Sequence, residues 1–210
     1  DDPLSAFWTL AVTLGIRRGE LLGLRWSDVD LAGGMLTIQR TMSRKLIDRS
    51  TGKTAWYIKE MPKTTAGRRP LRLPAICQSS LQTHRVRWVE RRLAAGDIWS
   101  TDDAVFDGGL GGHHRDPNVA GNGMRRLRYH KIVPETLRVH DLRHTAATHM
   151  LMNRIPVAVV SRILGHTNPA ITYRVYSHVI DSMEDAAIDA IDAQYAALFD
   201  GPHMAKVTDQ

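Results

Sequence analysis

The chain has 210 residues, 43% of them hydrophobic and 24% charged, enough for one domain with a sizeable core. It has no run of 18 apolar residues, no basic-then-apolar leader after Asp1-Asp2-Pro3 and one cysteine, Cys77, which argues against a membrane span, a signal peptide, an internal disulfide and a cysteine-rich zinc site. The formal charge of +6 is unevenly placed: residues 1–180 hold 27 basic and 15 acidic side chains, whereas 181–210 hold one lysine and seven acids, so the body suits a polyanionic partner.

Leu4 to Leu14 is apolar and helical in pattern, with Gly15 as its stop, and Arg18 to Leu24 reads as a second short helix. Trp26 to Leu31 leads through a turn at 30–34 into an alternating strand, Met35 to Arg40. Ser43 to Thr54 is polar and contains a Thr-Gly-Lys turn, Ala55 to Glu60 is a second strand, Thr64 to Arg69 is a basic connection, and Leu71 to Leu73 is a third strand closed by Pro74. Residues 75–95 form one long helix or a close pair, followed by a short apolar anchor at Val105-Phe106. Six glycines between 108 and 123 predict a mobile loop. Helices are expected from Met124 to Tyr129, from His140 to Met152, from Pro156 to Leu164 with Gly165 as its stop, and again after the Asn168 cap. Residues 183–199 read as a separate acidic amphipathic helix, and 202–210 as a frayed end. The pattern is α+β: mainly helical with a small three-stranded antiparallel sheet near the front.

Several common signatures fail. Gly52-Lys53-Thr54 resembles the end of a phosphate-binding loop, but Ile47 stands where the first glycine is required. Ten histidines include no His-Glu-x-x-His; His140 and His144 share a helical face, yet no acid or cysteine pattern completes a metal site. There is no Gly-x-Ser-x-Gly elbow. No cofactor or metal is expected.

A different chemistry fits the residues. Breaking a phosphodiester without a metal needs a nucleophile, fixed positive charge on the non-bridging oxygens and a proton for the leaving oxygen. Arg17 follows Gly15-Ile16 at a helix entry, Lys63 lies in Met61-Pro62-Lys63-Thr64 beside further basic residues, His140 and Arg143 are one helical turn apart in His-Asp-Leu-Arg, and His166 follows Leu164-Gly165. Ten residues later stands Tyr176, with Tyr173 as a rival nucleophile on chemistry alone.

These segments, GIRRGELLGLRWSDVDL, PKTTAGRRPLRLP, HDLRHTAATHML and LGHTNPAITYRVYSHV, resemble the boxes of tyrosine recombinases of the phage integrase family, over roughly residues 5–180. The resemblance makes 1–180 a catalytic domain and selects Tyr176 over Tyr173. It implies that Tyr176 attacks a scissile phosphate of double-stranded DNA, leaving a 3′-phosphotyrosyl bond and a free 5′-hydroxyl. Arg17 and Arg143 would clamp the phosphate, His140 would bond it and help manage the tyrosine proton, His166 would add a hydrogen bond, and Lys63 would protonate the leaving oxygen. Glu20 and Asp141 are expected as supports, and Arg18, Arg44, Lys45, Arg68, Arg69, Arg162 and Arg174 as DNA contacts. The family also implies a homotetramer on paired DNA sites, with a monomer in isolation, accessory DNA-bending proteins and a cytoplasmic, nucleoid-associated location. Segment 181–210 is suited to packing on a neighbouring protomer or on its own domain. The early first box implies that the family's N-terminal DNA-clamping domain is missing. The alternatives are type IB topoisomerase-like relaxation and a non-enzymatic DNA-binding regulator.

Overall fold

The computed structural model describes residues 2–61, 68–99, 103–107 and 118–199. Helix α1 (Ser5–Leu14) buries Phe7, Leu10 and Leu14 and packs against α3 (Ala75–Ala95) and α5 (Asp141–Met152). The stripe Cys77, Leu81, His84 and Trp88 follows the helical repeat, which gives α3 its buried face. An aromatic cluster fills this part of the core: Phe7 meets Phe106 edge-on at 5.3 Å, and Trp88 meets Trp99 at the same separation. His84 Nε2–H donates to the Val105 carbonyl at 2.7 Å and Trp88 Nε1–H to that of Ala104 at 3.0 Å, so the Val105-Phe106 anchor is held by hydrogen bonds as well as burial.

The three-stranded antiparallel sheet is present, with a different membership from that expected. Its order is β1 (Val29–Asp30), β2 (Met35–Ile38), β5 (Arg69–Arg72), in register at Val29–Leu36 and Leu36–Leu71. The strand at 54–60 instead pairs with the polar stretch after Gln39, forming a separate two-stranded ribbon of β3 (Arg40–Leu46) and β4 (Thr54–Glu60). Polarity in β3 reflects a solvent-facing ladder, along which Arg44 lies 5.7 Å over the Trp56 ring. At its base Arg40 bridges Asp28 at 2.6 Å and Glu60 at 2.7 Å, which ties the ribbon to the domain.

Helical boundaries also differ from expectation. Helix α4 (Asn118–Tyr129) starts early enough to include Gly121 and Gly123. A Cβ at Gly123 would lie 2.7 Å from Leu4 and 2.8 Å from Trp8, so close approach to the start of α1 overrides glycine's low helix propensity. The rest of the expected glycine loop, 108–117, and the tail at 202–210 lie outside the described residues. Helix α2 is short (Arg18–Leu22), and α6 spans Val157–Leu164. Helix α7 (Pro169–Phe199) is two helical segments that meet at a kink at Tyr176 (φ −119°, ψ 19°), so the break expected before the acidic helix at 183–199 falls at Tyr176 instead. Helices α5, α6 and α7 enclose a second, smaller core of Ala147, Leu151, Val160, Leu164 and Tyr176. No helix among the described residues is long and apolar enough to cross a membrane.

Candidate functional site

The site is built where two helices end. Gly15 terminates α1 at φ 63°, and Gly165 terminates α6 at φ 71°. At α6 the Gly165 N–H reaches the Arg162 carbonyl and the His166 N–H reaches that of Ser161, the paired bonds of a Schellman stop. Leu-Gly-His is therefore a stop signal that sets the direction in which His166 leaves the helix.

A helix end leaves carbonyls without partners and carries partial negative charge. Here three arginines take them. Arg69 Nε–H donates to Ile163 at 2.9 Å, Arg143 Nη2 to Leu164 at 2.8 Å and Arg17 Nη2 to Gly165 at 3.1 Å. Arg143 Nη1 reaches across to the Gly15 carbonyl at 2.6 Å, so one guanidinium joins both helix ends. A guanidinium has five N–H donors, and these two bonds use two of those on Arg143, which also lines the cavity described below.

One carboxylate organises the cluster. Glu20 is 1% exposed and sits in the first turn of α2, where its Oε2 accepts the Arg17 backbone N–H at 3.0 Å. Its oxygens also accept Arg17 Nη1 at 2.9 Å, Arg69 Nη1 at 3.2 Å and Arg69 Nη2 at 3.0 Å. Burial works to raise the Glu20 pKa, but the Arg69 and Arg17 bonds and charges outweigh it and hold the carboxyl below its usual range. Arg69, expected at a DNA-facing surface, is only 5% exposed. Strand alternation explains this, because Arg69 shares the inward face of β5 with Leu71.

Tyr176, His140, Arg143, His166 and Arg17 line one cavity of about 340 Å³, together with His144, Thr167 and Val175. Tyr176 is 3% exposed, and its hydroxyl lies 3.0 Å from His144 Nδ1. Burial pushes its phenol pKa up, with Arg143 opposing. Arg143 itself is lowered to about 10, first by burial and then by the charge of Arg17. His166 is lowered to about 4 by burial and then by Arg143, Arg17 and Arg69, so its ring is neutral near pH 7. The His166 Nδ1 lies 2.8 Å from Oγ1 of the fully buried Thr172. When that hydroxyl donates, the remaining ring proton is on Nε2. His140 precedes α5 and is exposed; burial, then His144 and Arg143, lower its pKa. Asp141 accepts the Arg138 N–H at 2.8 Å and its guanidinium at 2.9 Å, and the Arg138 bonds hold its carboxyl at about 2.

Of the other expected positions, Arg18, Arg44, Lys45, Arg162 and Arg174 are exposed. Arg68 is half-buried and donates to Gln39 at 2.5 Å. Lys63 lies outside the described residues. Among the described residues no group of three His, Cys, Asp or Glu side chains is arranged to hold a metal ion. Three contributors were missed as site residues by sequence reasoning: His144, considered only as a metal ligand, Thr172, and Arg69 as a buried brace. The i, i+4 relation of His144 to His140 was visible; its contact with a tyrosine 32 positions later was not.

The chain matches the phage integrase family over residues 3–183. It is 32% identical over 193 residues to a XerC-like tyrosine recombinase of Caldanaerobacter subterraneus, covering 90% of this chain and 49% of that protein. It is 29% identical to an integrase of Streptomyces ambofaciens, over 82% of this chain and 44% of the relative. The chain thus spans about half the length of these curated relatives. Among solved structures, the fold is similar to the Tn1549 transposon integrase in complex with transposon right-end DNA (TM-score 0.65, 20% identity, 88% of this chain and 59% of that one). It is also similar to the XerA recombinase (TM-score 0.60, 22% identity, 90% and 57%). From its boxes to its fold, this chain belongs to the phage integrase family.

Proposed function

We propose that this chain cleaves and rejoins duplex DNA as a tyrosine site-specific recombinase, with Tyr176 as nucleophile. The observation that carries the reading is the convergence of Tyr176, Arg17, Arg143, His140 and His166 on one cavity. Arg17 and Arg143 hold the non-bridging oxygens of the phosphate with donors already oriented by the helix-end carbonyls. His166, neutral with its Nε2–H free of Thr172, adds a hydrogen bond, and His140 a further one. Lys63 supplies the proton to the leaving 5′ oxygen. Glu20, Arg69 and Asp141 act as braces. Phosphodiester energy is kept in the phosphotyrosyl link until a second 5′-hydroxyl attacks it.

Exposed Arg18, Arg44, Lys45, Arg162 and Arg174 contact the DNA backbone in this reading. Arg68 and Arg162 line a second cavity of about 300 Å³ that shares His166, a suitable place for an adjacent phosphate. The active assembly is a homotetramer on paired DNA sites, aided by DNA-bending proteins at the nucleoid. Its protomer contact is the end of α7, where Ile188, Ile191 and Tyr195 are about half exposed and interspersed with Asp189 and Asp192.

The test is covalent trapping. The protein is incubated in EDTA with nicked suicide duplexes pooled over random sequence, then denatured. An EDTA-resistant protein–DNA adduct that disappears in Tyr176→Phe is the expected result. Failure to trap an adduct, with the longest polypeptide that carries this chain, would refute the catalytic reading.

A further inference from the structure

Tyr176 must lose a proton as its oxygen attacks phosphorus, and a buried phenol loses it reluctantly. The bond recorded at its hydroxyl is to His144 Nδ1, at 3.0 Å, with the two ring centroids 5.7 Å apart. His140 stands one turn earlier on α5 with its ring edge-on to His144 at 5.0 Å. The imidazole in direct contact with the reacting oxygen is thus the second histidine of His-Asp-Leu-Arg-His. Resting on the recombinase reading above, we infer that His144 is a catalytic residue, the group that takes the Tyr176 proton in cleavage and returns it in rejoining.

Several features of the site fit the role. His144 is partly buried against the cavity, so its ring is fixed while one edge reaches the Tyr176 hydroxyl. A hydroxyl that donates to Nδ1 requires the other ring nitrogen to carry the proton, which is the neutral form able to act as a base. The non-helical backbone at Tyr176 turns the phenol out of the regular α7 path toward α5, giving the pair its contact.

The step balances. The Oη–H proton passes to His144 Nδ1 as the Oη–P bond forms. The P–O5′ bond breaks with its electron pair on O5′, which takes a proton from Lys63. On rejoining, the incoming 5′-hydroxyl gives its proton back to the neutral Lys63 amine as its oxygen bonds phosphorus and displaces Oη, and His144 returns its proton to the departing phenolate.

The test separates proton transfer from mere positioning. His144→Asn keeps a polar atom near Nδ1 but cannot accept a proton at neutral pH, and His144→Ala removes the contact. Both are expected to slow adduct formation on the suicide duplex by roughly 100-fold or more, with DNA affinity unchanged. Replacing Tyr176 by 2,3-difluorotyrosine, a more acidic phenol, should restore much of the rate in the Asn variant. A 5′-bridging phosphorothiolate, whose leaving sulfur needs no proton, should not. Wild-type rates in His144→Asn, or rescue by the phosphorothiolate in place of the fluorinated tyrosine, would overturn the inference and leave the recombinase reading standing. Absence of any adduct from the wild-type protein would overturn both.

Discussion

Glu20 is the side chain on which the positive cluster depends, and its replacement by glutamine tests that dependence with the least change of shape. The carboxylate is 1% exposed and receives two donors from Arg17 and two from Arg69, whose own side chain is 5% exposed. Glutamine keeps one acceptor oxygen and turns an amino group toward guanidinium donors, which leaves Arg69 charged and uncompensated in the interior. Breaking a buried pair by removing one partner costs about 3–5 kcal/mol, a large share of a typical stability of roughly 5–15 kcal/mol. Urea unfolding of Glu20→Gln should therefore move the midpoint strongly downward with little change in slope. Glu20→Leu combined with Arg69→Met should recover most of the loss, because the double variant strands no charge. The pH dependence has the same origin. The folded pKa of Glu20 is depressed, so its contribution is present above the unfolded value and is lost as pH falls through the folded one. A Glu20→Gln loss below about 1 kcal/mol, the size of one ordinary hydrogen bond, or a double variant no better than the single, would refute the view that Glu20 is a buried counter-ion.

Gly165→Ala forces a φ of 71° on an L-residue and places its Cβ 2.5 Å from Arg69 Nη1, whereas Gly52→Ala has similar strain (φ 68°) in open space. Gly52→Ala should cost about 1–2 kcal/mol, Gly165→Ala measurably more, and only the latter should impair adduct formation; paired thermal unfolding and trapping check this. The His166 pKa lies at about 4, below the ordinary 6.5, so below pH 6.5 the unfolded chain takes up a proton that the folded chain refuses. Stability should therefore fall as pH drops from 6.5 to about 4, by at most roughly 3 kcal/mol. The difference between wild type and His166→Gln across that window isolates the effect. Thr172→Val removes the hydroxyl bonded to His166 Nδ1 while keeping volume. It should cost about 1 kcal/mol and mix the two imidazole tautomers, as read by ¹⁵N NMR.

The sequence by itself determined the main helices, two of their stops and the order in which the candidate site residues occur. Periodicity gave α1, α3 and α5, because a helix that buries one stripe must repeat its apolar residues at three and four. The glycines at 15 and 165 announced two helix ends, because a left-handed stop favours a residue without a Cβ. The boxes place Arg17, His140, Arg143, His166 and Tyr176 in order along the chain, and these five line one cavity. Strand alternation also held a signal that went unread: Arg69 and Leu71, two apart in β5, must share a face, so an arginine there points inward.

Tertiary structure decided what depends on distance across the chain. Strand partners at 29–30 and 69–72 are chosen by which edges meet, and local pattern cannot state that. Gly123 lies in a helix because Leu4 and Trp8 approach it from over a hundred residues away. That the carbonyls at the ends of α1 and α6 would be taken by three arginines follows only once those ends converge. The Tyr176–His144 contact likewise needs α5 and α7 packed side by side. A sequence records which groups are present and how they are spaced along one element; a three-ångström contact between elements exists only when the whole core has closed around it.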